Sequence, residues 1–354
     1  MTGTEREVAQ IGRREFLKAV AGIGAMLPGG ALVAQAPPAS AGAGRIDVHH
    51  HMTPPFYLKE MEPETRATGF NPRPWTPEMS LAAMDKHGVA TAMLSPVQRL
   101  VADSMSDRSA RARDLARRSN EYNAQVVRDH PGRFGLLAAL PLPDQDGSLK
   151  EIEYAFDTLH ADGIALWTSY LDKWPGDPAF LPVFEELNRR RAVVFFHPAT
   201  ASCCRNLIPG LQISGIIEYD LDTARAAESI LINGLSARLP NLRLIFSHSG
   251  GALTVLAARI IDDFPKPFSD RAPRGVEYEL KKFYYEVAHA SKAPALDALR
   301  DLAPVSQILF GSDAMIRDYE LTTDGLDRYT GFSPADLRAI YRGNAEQLFP
   351  RLKA

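Results

Sequence analysis

Arg45-Ile46-Asp47-Val48-His49-His50-His51 decides the reading of this chain. A short apolar run ends abruptly in three imidazoles. The same pattern recurs three times. Ala192-Val193-Val194-Phe195-Phe196 ends at His197, Leu242-Arg243-Leu244-Ile245-Phe246-Ser247 at His248, and Ile308-Leu309-Phe310-Gly311-Ser312 at Asp313. Runs of this length, rich in Val, Ile and Phe, read as parallel strands buried on both faces. Titratable residues at the C-terminal ends of such strands are where a (β/α)₈ barrel carries its chemistry.

Working outward, strands are expected at 45–49, 89–95, 134–140, 163–168, 192–197, 242–248, 283–288 and 306–311. Helical patterns lie between them, at 81–87, 107–129, 149–160, 178–191, 221–239, 251–264 and 293–302. His130-Pro131-Gly132 stops the long second pattern, because proline cannot continue a helix. Alternation of strand and helix eight times predicts an α/β fold, a (β/α)₈ TIM barrel of the metal-dependent kind, in a single domain over 42–354. The segment 52–78 holds six prolines without a clear period. It reads as a loop over the catalytic end.

Side chains alternate along a strand, so His49 and His51 share a face and His50 points away. Asp47 has the same parity as His49, and is expected to orient a ligand imidazole. His197 supplies a third nitrogen. Asp313 supplies a carboxylate, as ligand, proton acceptor or both. His248 is a fourth imidazole, either ligand or free acid/base. Three imidazoles and a carboxylate suit one divalent ion, zinc first and manganese as the alternative, with a position left open for substrate. His289, after Glu286-Val287-Ala288, and Trp167, in Leu166-Trp167-Thr168, are expected to line the pocket.

Composition narrows the function classes. Hydrophobic content of 45% and charged content of 23% are those of a globular protein, and the net charge of −3 gives no reason to expect nucleic acid as a partner. The two cysteines, Cys203 and Cys204, are adjacent, which offers neither a disulfide framework nor a thiolate zinc site. Arg13-Arg14-Glu15-Phe16-Leu17-Lys18 precedes an apolar stretch from Ala19 to Ala36, and Ala39-Ser40-Ala41 follows. Residues 1–41 therefore read as a removable export signal of twin-arginine type, with Gly12 where Ser or Thr is usual, and the mature protein as periplasmic. The stretch is short and broken by Gly22, Gly24, Pro28, Gly29 and Gly30, which argues against a permanent membrane anchor.

These motifs resemble the amidohydrolase superfamily, and within it the branch of aminocarboxymuconate-semialdehyde decarboxylase, over about residues 45–352. The His49–His51 pair, His197-Pro198, Ser247-His248-Ser249-Gly250-Gly251 and Leu309-Phe310-Gly311-Ser312-Asp313 carry the resemblance. Asn120-Glu121-Tyr122-Asn123, His130-Pro131-Gly132-Arg133-Phe134, His160-Ala161-Asp162-Gly163-Ile164 and Gly176-Asp177-Pro178-Ala179-Phe180 are similar to 6-methylsalicylate decarboxylases.

The resemblance implies that His49, His51, His197 and Asp313 bind the metal and that His248 is catalytic without binding it. It implies a homodimer in which Arg259 reaches a substrate carboxylate in the neighbouring subunit. A second carboxylate-binding arginine is implied in the loop after the first strand, where Arg66 and Arg73 both qualify. The fourth strand ends without the lysine that two-metal barrels use, which implies a single ion. Where the branch has an aromatic-proline turn after the aspartate, this chain has Ala314-Met315-Ile316-Arg317. The expected reaction is non-oxidative loss of CO₂ from an aromatic or unsaturated carboxylic acid. Hydrolysis of a lactone, ester or amide at the same site is the alternative.

Overall fold

The computed structural model describes residues 44–60, 74–96, 109–204, 207–208 and 215–353. The expected export signal, Arg66 and Arg73 lie outside the described residues. Among the described residues no helix is long and apolar enough to cross a membrane.

Eight parallel strands follow one another in chain order: β1 Arg45–Met52, β2 Val89–Pro96, β3 Phe134–Ala139, β4 Gly163–Trp167, β5 Val193–His197, β6 Arg243–Phe246, β7 Tyr284–Glu286 and β8 Ile308–Leu309. Backbone bonds from Val48 N to Phe310 O (3.0 Å) and from Asp313 N to His49 O (2.9 Å) bring the last strand back to the first. The eight apolar runs thus form a parallel barrel.

Helices surround it: α1 Pro55–Glu60, α2 Pro77–Lys86, α3 Ser109–Asp129, α4 Gln145–Asp157, α5 Leu181–Arg189, α6 Glu218–Ile232, α7 Leu235–Arg238, α8 Leu253–Asp262, α9 Val276–Lys282, α10 Ala293–Leu302, α11 Tyr319–Arg328, α12 Pro334–Arg338 and α13 Asn344–Leu348. The proline-rich segment is partly ordered into elements. Residues 55–60 form α1, and α2 begins at Pro77, four residues before the expected start, with Thr76 capping it and Pro77 in the first turn.

Two apolar layers position the site. One lies between strands and helices. The other fills the barrel, with Ile46, Val48, Met93, Leu137, Ala165, Val193, Phe195, Ile245 and Leu309. Ala345, Leu348, Phe349 and Leu352 join this inner layer, so the C-terminal segment plugs one end of the barrel. The opposite end is left to the histidines.

The β1–β2 ladder breaks register between Asp47 and His50: Asp47 pairs with Ala92, and His50, three residues on, pairs with Leu94, only two on. This bulge resets the alternation of β1. Ile46 and Val48 face inward before it, and His49 and His51 after it. Asp47 therefore does not share the face of His49, contrary to the strict two-residue period expected for this strand.

Candidate active site

Val193 and Phe195 are interior, so His197 on the same strand face is too, while Asp313, beyond the end of β8, is held at the rim by its N–H bond to the His49 carbonyl. One donor atom from each of His49, His51, His197 and Asp313 lies within 4.8 Å of the others. His49 Nε2 is 3.1 Å from His51 Nε2, which is 3.1 Å from His197 Nε2. Asp313 Oδ1 sits 2.8 Å from His51 Nε2 and 3.2 Å from His49 Nε2, without being aligned as a hydrogen-bond acceptor for either.

The outer nitrogens fix the tautomers. His197 Nδ1 lies 2.9 Å from the Pro198 carbonyl, which can only accept, so Nδ1 carries the proton. His49 Nδ1 donates in the same way to Glu286 Oε1 at 2.9 Å. Both rings thereby present an Nε2 lone pair to the centre. Lone pairs cannot bond one another, but they bind a cation, and ligands about 2.1 Å from a tetrahedral ion stand about 3.4 Å apart. The four residues are a metal-binding cluster by donor chemistry and by spacing.

The electrostatics show why a cation is wanted here: the surrounding carboxylates draw a proton onto His49, which a binding metal ion would have to displace. Burial disfavours a charged His49, yet the carboxylates of Glu286 and Asp313 outweigh it and push its pKa up to about 10. Burial would raise Asp313, but His49 and its hydrogen bonds hold it well below the usual carboxylate range. Burial and the neighbouring imidazoles keep His197 and His248 well below the ordinary histidine value. Two buried carboxylates call for positive charge at this point, and a divalent ion is one way to supply it.

His248 stands outside the foursome. Its ring stacks on His49, with centroids 5.4 Å apart, and lies 4.7 Å from the ring of His289. Its Nε2 is buried with no hydrogen-bond partner among the described residues. His289, expected only to line the pocket, bonds Asp313 Oδ2 at 2.6 Å. His248, His289 and Asp313 all have left-handed backbone, with φ of 54°, 59° and 60°. This conformation is uncommon outside glycine, and it turns each side chain at its strand end.

Glu286 is the residue sequence reasoning missed. Fully buried on β7, it accepts from His49 Nδ1 and from His248 N (2.8 Å) through Oε1, and from Ala288 N (2.7 Å) through Oε2. It performs the orienting task assigned to Asp47. Gly311 leaves the space for it: a Cβ there would lie 2.1 Å from Glu286 Oε2.

Asp47 instead faces the helices and holds backbone, accepting from His49 N (3.1 Å) and Ser312 N (3.0 Å). His50, expected only to point away from His49 and His51, is fully buried beside it. A continuous relay joins them: Trp75 Nε1 to Ser80 Oγ (2.8 Å), Ser80 Oγ to His50 Nε2 (2.7 Å), His50 Nδ1 to the Tyr319 hydroxyl (2.8 Å), and that hydroxyl to Asp47 Oδ2 (3.0 Å).

Trp167 ends β4 beside His197, with ring centroids 6.1 Å apart and its buried Nε1 without a partner among the described residues. Arg259 does not join its own chain's cluster. It stands exposed on α8, 3.6 Å from Asp263 one turn on. Cys203 and Cys204 are free thiols in the loop after His197.

The sequence matches the amidohydrolase family over residues 46–351. It is 34% identical to decarboxylase macB of Penicillium terrestre over 331 residues, 87% of this chain and 96% of that one. It is also 34% identical to 6-methylsalicylic acid decarboxylase of Penicillium expansum, over 87% of this chain and 97% of that one. Among solved structures, it resembles dihydroxybenzoic acid decarboxylase from Polaromonas sp. JS666, which was crystallised with manganese and the inhibitor 2-nitroresorcinol. That match has a TM-score of 0.76, 23% identity, and coverage of 88% of this chain and 98% of that one. By the span of these matches and the strand-end residues they enclose, the chain belongs to the amidohydrolase family.

Proposed function

We propose that this chain is a metal-dependent carboxy-lyase that removes CO₂, without oxidation, from a hydroxylated aromatic carboxylic acid of the 6-methylsalicylate or hydroxybenzoate kind. The observation that carries the reading is a four-donor cluster with an unpartnered acid/base nitrogen, His248 Nε2, beside it. The names of the relatives support the same reaction class.

His49, His51, His197 and Asp313 would hold one ion, zinc or manganese, both of which suit this donor set. Once bound, the ion supplies a Lewis acid and a template for the carboxylate and its neighbouring hydroxyl. The chain's own residues supply the rest. Glu286 fixes His49, and the Pro198 carbonyl fixes His197. Phe195, 5.0 Å from the His49 ring between centroids, floors the site with apolar surface. His248 and Asp313 are the groups placed to deliver a proton, and His289 orients Asp313. The ring carbon bearing the carboxylate takes that proton. The bond to the carboxylate then breaks, its electron pair returns to the ring, and CO₂ departs. One proton is consumed per turnover, and no organic cofactor is needed.

Two further parts belong to this reading. The assembly is a homodimer in which Arg259 serves the partner's site. Its support is an outer face where Val255 is 72% exposed, and where Leu221, Arg225, Leu256, Arg259 and Ile260 border a groove. Residues 1–41 direct export through Arg13-Arg14. Changing both to lysine should retain the protein in the cytoplasm.

The decisive experiment supplies metal-loaded protein with 6-methylsalicylate or 2,6-dihydroxybenzoate in D₂O. CO₂ evolution with one deuterium at the vacated ring position is expected. Acid release from lactones or esters, with no CO₂ from any hydroxybenzoate, would replace decarboxylation by hydrolysis.

A further inference from the structure

Beside the cluster, a cavity of about 140 Å³ opens between the end of β1 and the turn after β8. That is the size of space that accepts a single benzene ring. His51 lies on its inner wall, and Trp75, Met79, Met315 and Ile316 make it apolar. Arg317 is the only arginine or lysine lining it among the described residues.

Three features mark Arg317 as more than a solvated surface group. First, its backbone is tied to the chemistry. The N–H groups of Ile316 and Arg317 both donate to the Asp313 carbonyl (3.2 and 3.0 Å), and His51 N donates to Ala314 O (3.2 Å). The turn 313–317 is thus clamped onto the strand that carries His49 and His51. Second, the guanidinium makes no ion pair or hydrogen bond among the described residues, and its neighbour Asp318 does not neutralise it by contact. Third, the opposite wall is held in place, since the Trp75 indole is locked through Ser80 to His50. A planar ring lying against Trp75 with one carboxylate at the cluster would present its far substituents to an exposed, uncommitted guanidinium whose backbone is anchored at the rim.

We propose that Arg317 is a specificity-determining residue that grips a second acidic group on the substrate, remote from the carboxylate that is lost. The preferred substrate is accordingly an aromatic acid with two acidic substituents, bound through a bidentate guanidinium contact. This rests on the decarboxylase reading, so the test has an arm independent of turnover.

In that arm, metal-loaded wild type and Arg317→Ala are titrated calorimetrically with isophthalate and with benzoate, neither carrying the hydroxyl that turnover needs. Arg317→Ala should weaken isophthalate about 10- to 100-fold, the scale of a lost charge-assisted bond, and leave benzoate within about twofold. Arg317→Lys should recover part of the loss. Asp318→Asn, which removes a competing negative charge, should tighten isophthalate. In the kinetic arm, Arg317→Ala should raise KM for a hydroxyisophthalate with kcat nearly unchanged, and spare a monocarboxylic hydroxybenzoate. Equal effects on one-acid and two-acid ligands, or none on either, would overturn the assignment. If no hydroxybenzoate is turned over at all while isophthalate still discriminates the variants, Arg317 stands and the decarboxylase reading falls.

Discussion

The two ends of the barrel are built differently. At the end where the strands begin, most polar groups have structural partners, and among the described residues only Arg45 Nε and Gln307 Oε1 are buried there without one. The Arg45 guanidinium donates to the His87 carbonyl (2.8 Å), pairs with Asp327 (3.2 Å), and lies over the Tyr341 ring at 4.4 Å. Asn344 Nδ2 donates to the carbonyls of Val305 and Ile308, and the C-terminal segment seals the interior. At the end where the strands finish, His51 Nδ1, His248 Nε2, Asp313 Oδ1, Ser247 Oγ and Ser249 Oγ are buried without partners among the described residues. Left-handed backbone at non-glycine residues is concentrated there, at Leu171, Asp172, His248, Ser249, His289, Asp313 and Met315, against His160 and Arg191 ahead of β4 and β5. A fold keeps unsatisfied buried polar atoms and rare backbone only where the rest of the structure over-determines them. The contrast therefore predicts that substitutions at one end change chemistry and those at the other change stability.

The largest effect should come from a ligand. His197→Ala should lose the bound ion and with it all turnover above the metal-free level. Elemental analysis against activity checks this. Two tightly held ions per wild-type chain, or a variant that keeps its single ion, would break the four-donor assignment.

Next is His248→Ala. Its ring stacks on His49, but its Nε2 takes no part in the foursome. The variant should keep its metal and lose turnover by about 10²- to 10⁴-fold, the range for a general acid/base. Metal-free purification of this variant would make His248 a ligand, and the acid/base role would pass to Asp313 and His289.

A smaller effect tests the residue that holds the histidines in place. Glu286→Gln should keep the fold and lower metal affinity or turnover about 10- to 100-fold, as partners of metal ligands do when altered. Gly311→Ala should act in the same direction, since its Cβ would displace the same carboxylate. Wild-type metal affinity in both variants would show that His49 needs no orientation from β7.

Sequence reached one end of the molecule more easily than the other for physical reasons. Strands buried on both faces are continuous apolar runs, and their polar endpoints stand out, which is why His49, His197, His248 and Asp313 could be read directly. Glu286 could not. It is one carboxylate in a run where only three residues are strand, and its role depends on neighbours from β1 and β6. The one signal available was a carboxylate inside an otherwise apolar strand. Asp47 was placed on the wrong face because a bulge is invisible to strict alternation. The plug at the barrel floor was unreadable for a third reason. Its apolar residues are few, and the helical turns before them change from α to π over Ala339–Gly343, which blurs the period.

The smallest effect belongs to the structural end. Arg351, just beyond α13, pairs twice with Asp162 ahead of β4, at 2.8 and 2.6 Å. The geometry is bidentate, yet the Arg351 side chain is 44% exposed, so water and salt screen the pair. Arg351→Ala should therefore cost no more than about 1 kcal/mol in denaturant unfolding and leave kcat and KM unchanged. Its partner is different. Asp162 is nearly buried and also accepts from Leu136 N at 2.8 Å, so Asp162→Ala removes an acceptor that a strand amide depends on. That variant should lose more stability than Arg351→Ala, by about 1–3 kcal/mol, again with unaltered kinetics. A change in kcat from either substitution would mean that the floor of the barrel communicates with its rim, and the division between the two ends would fail.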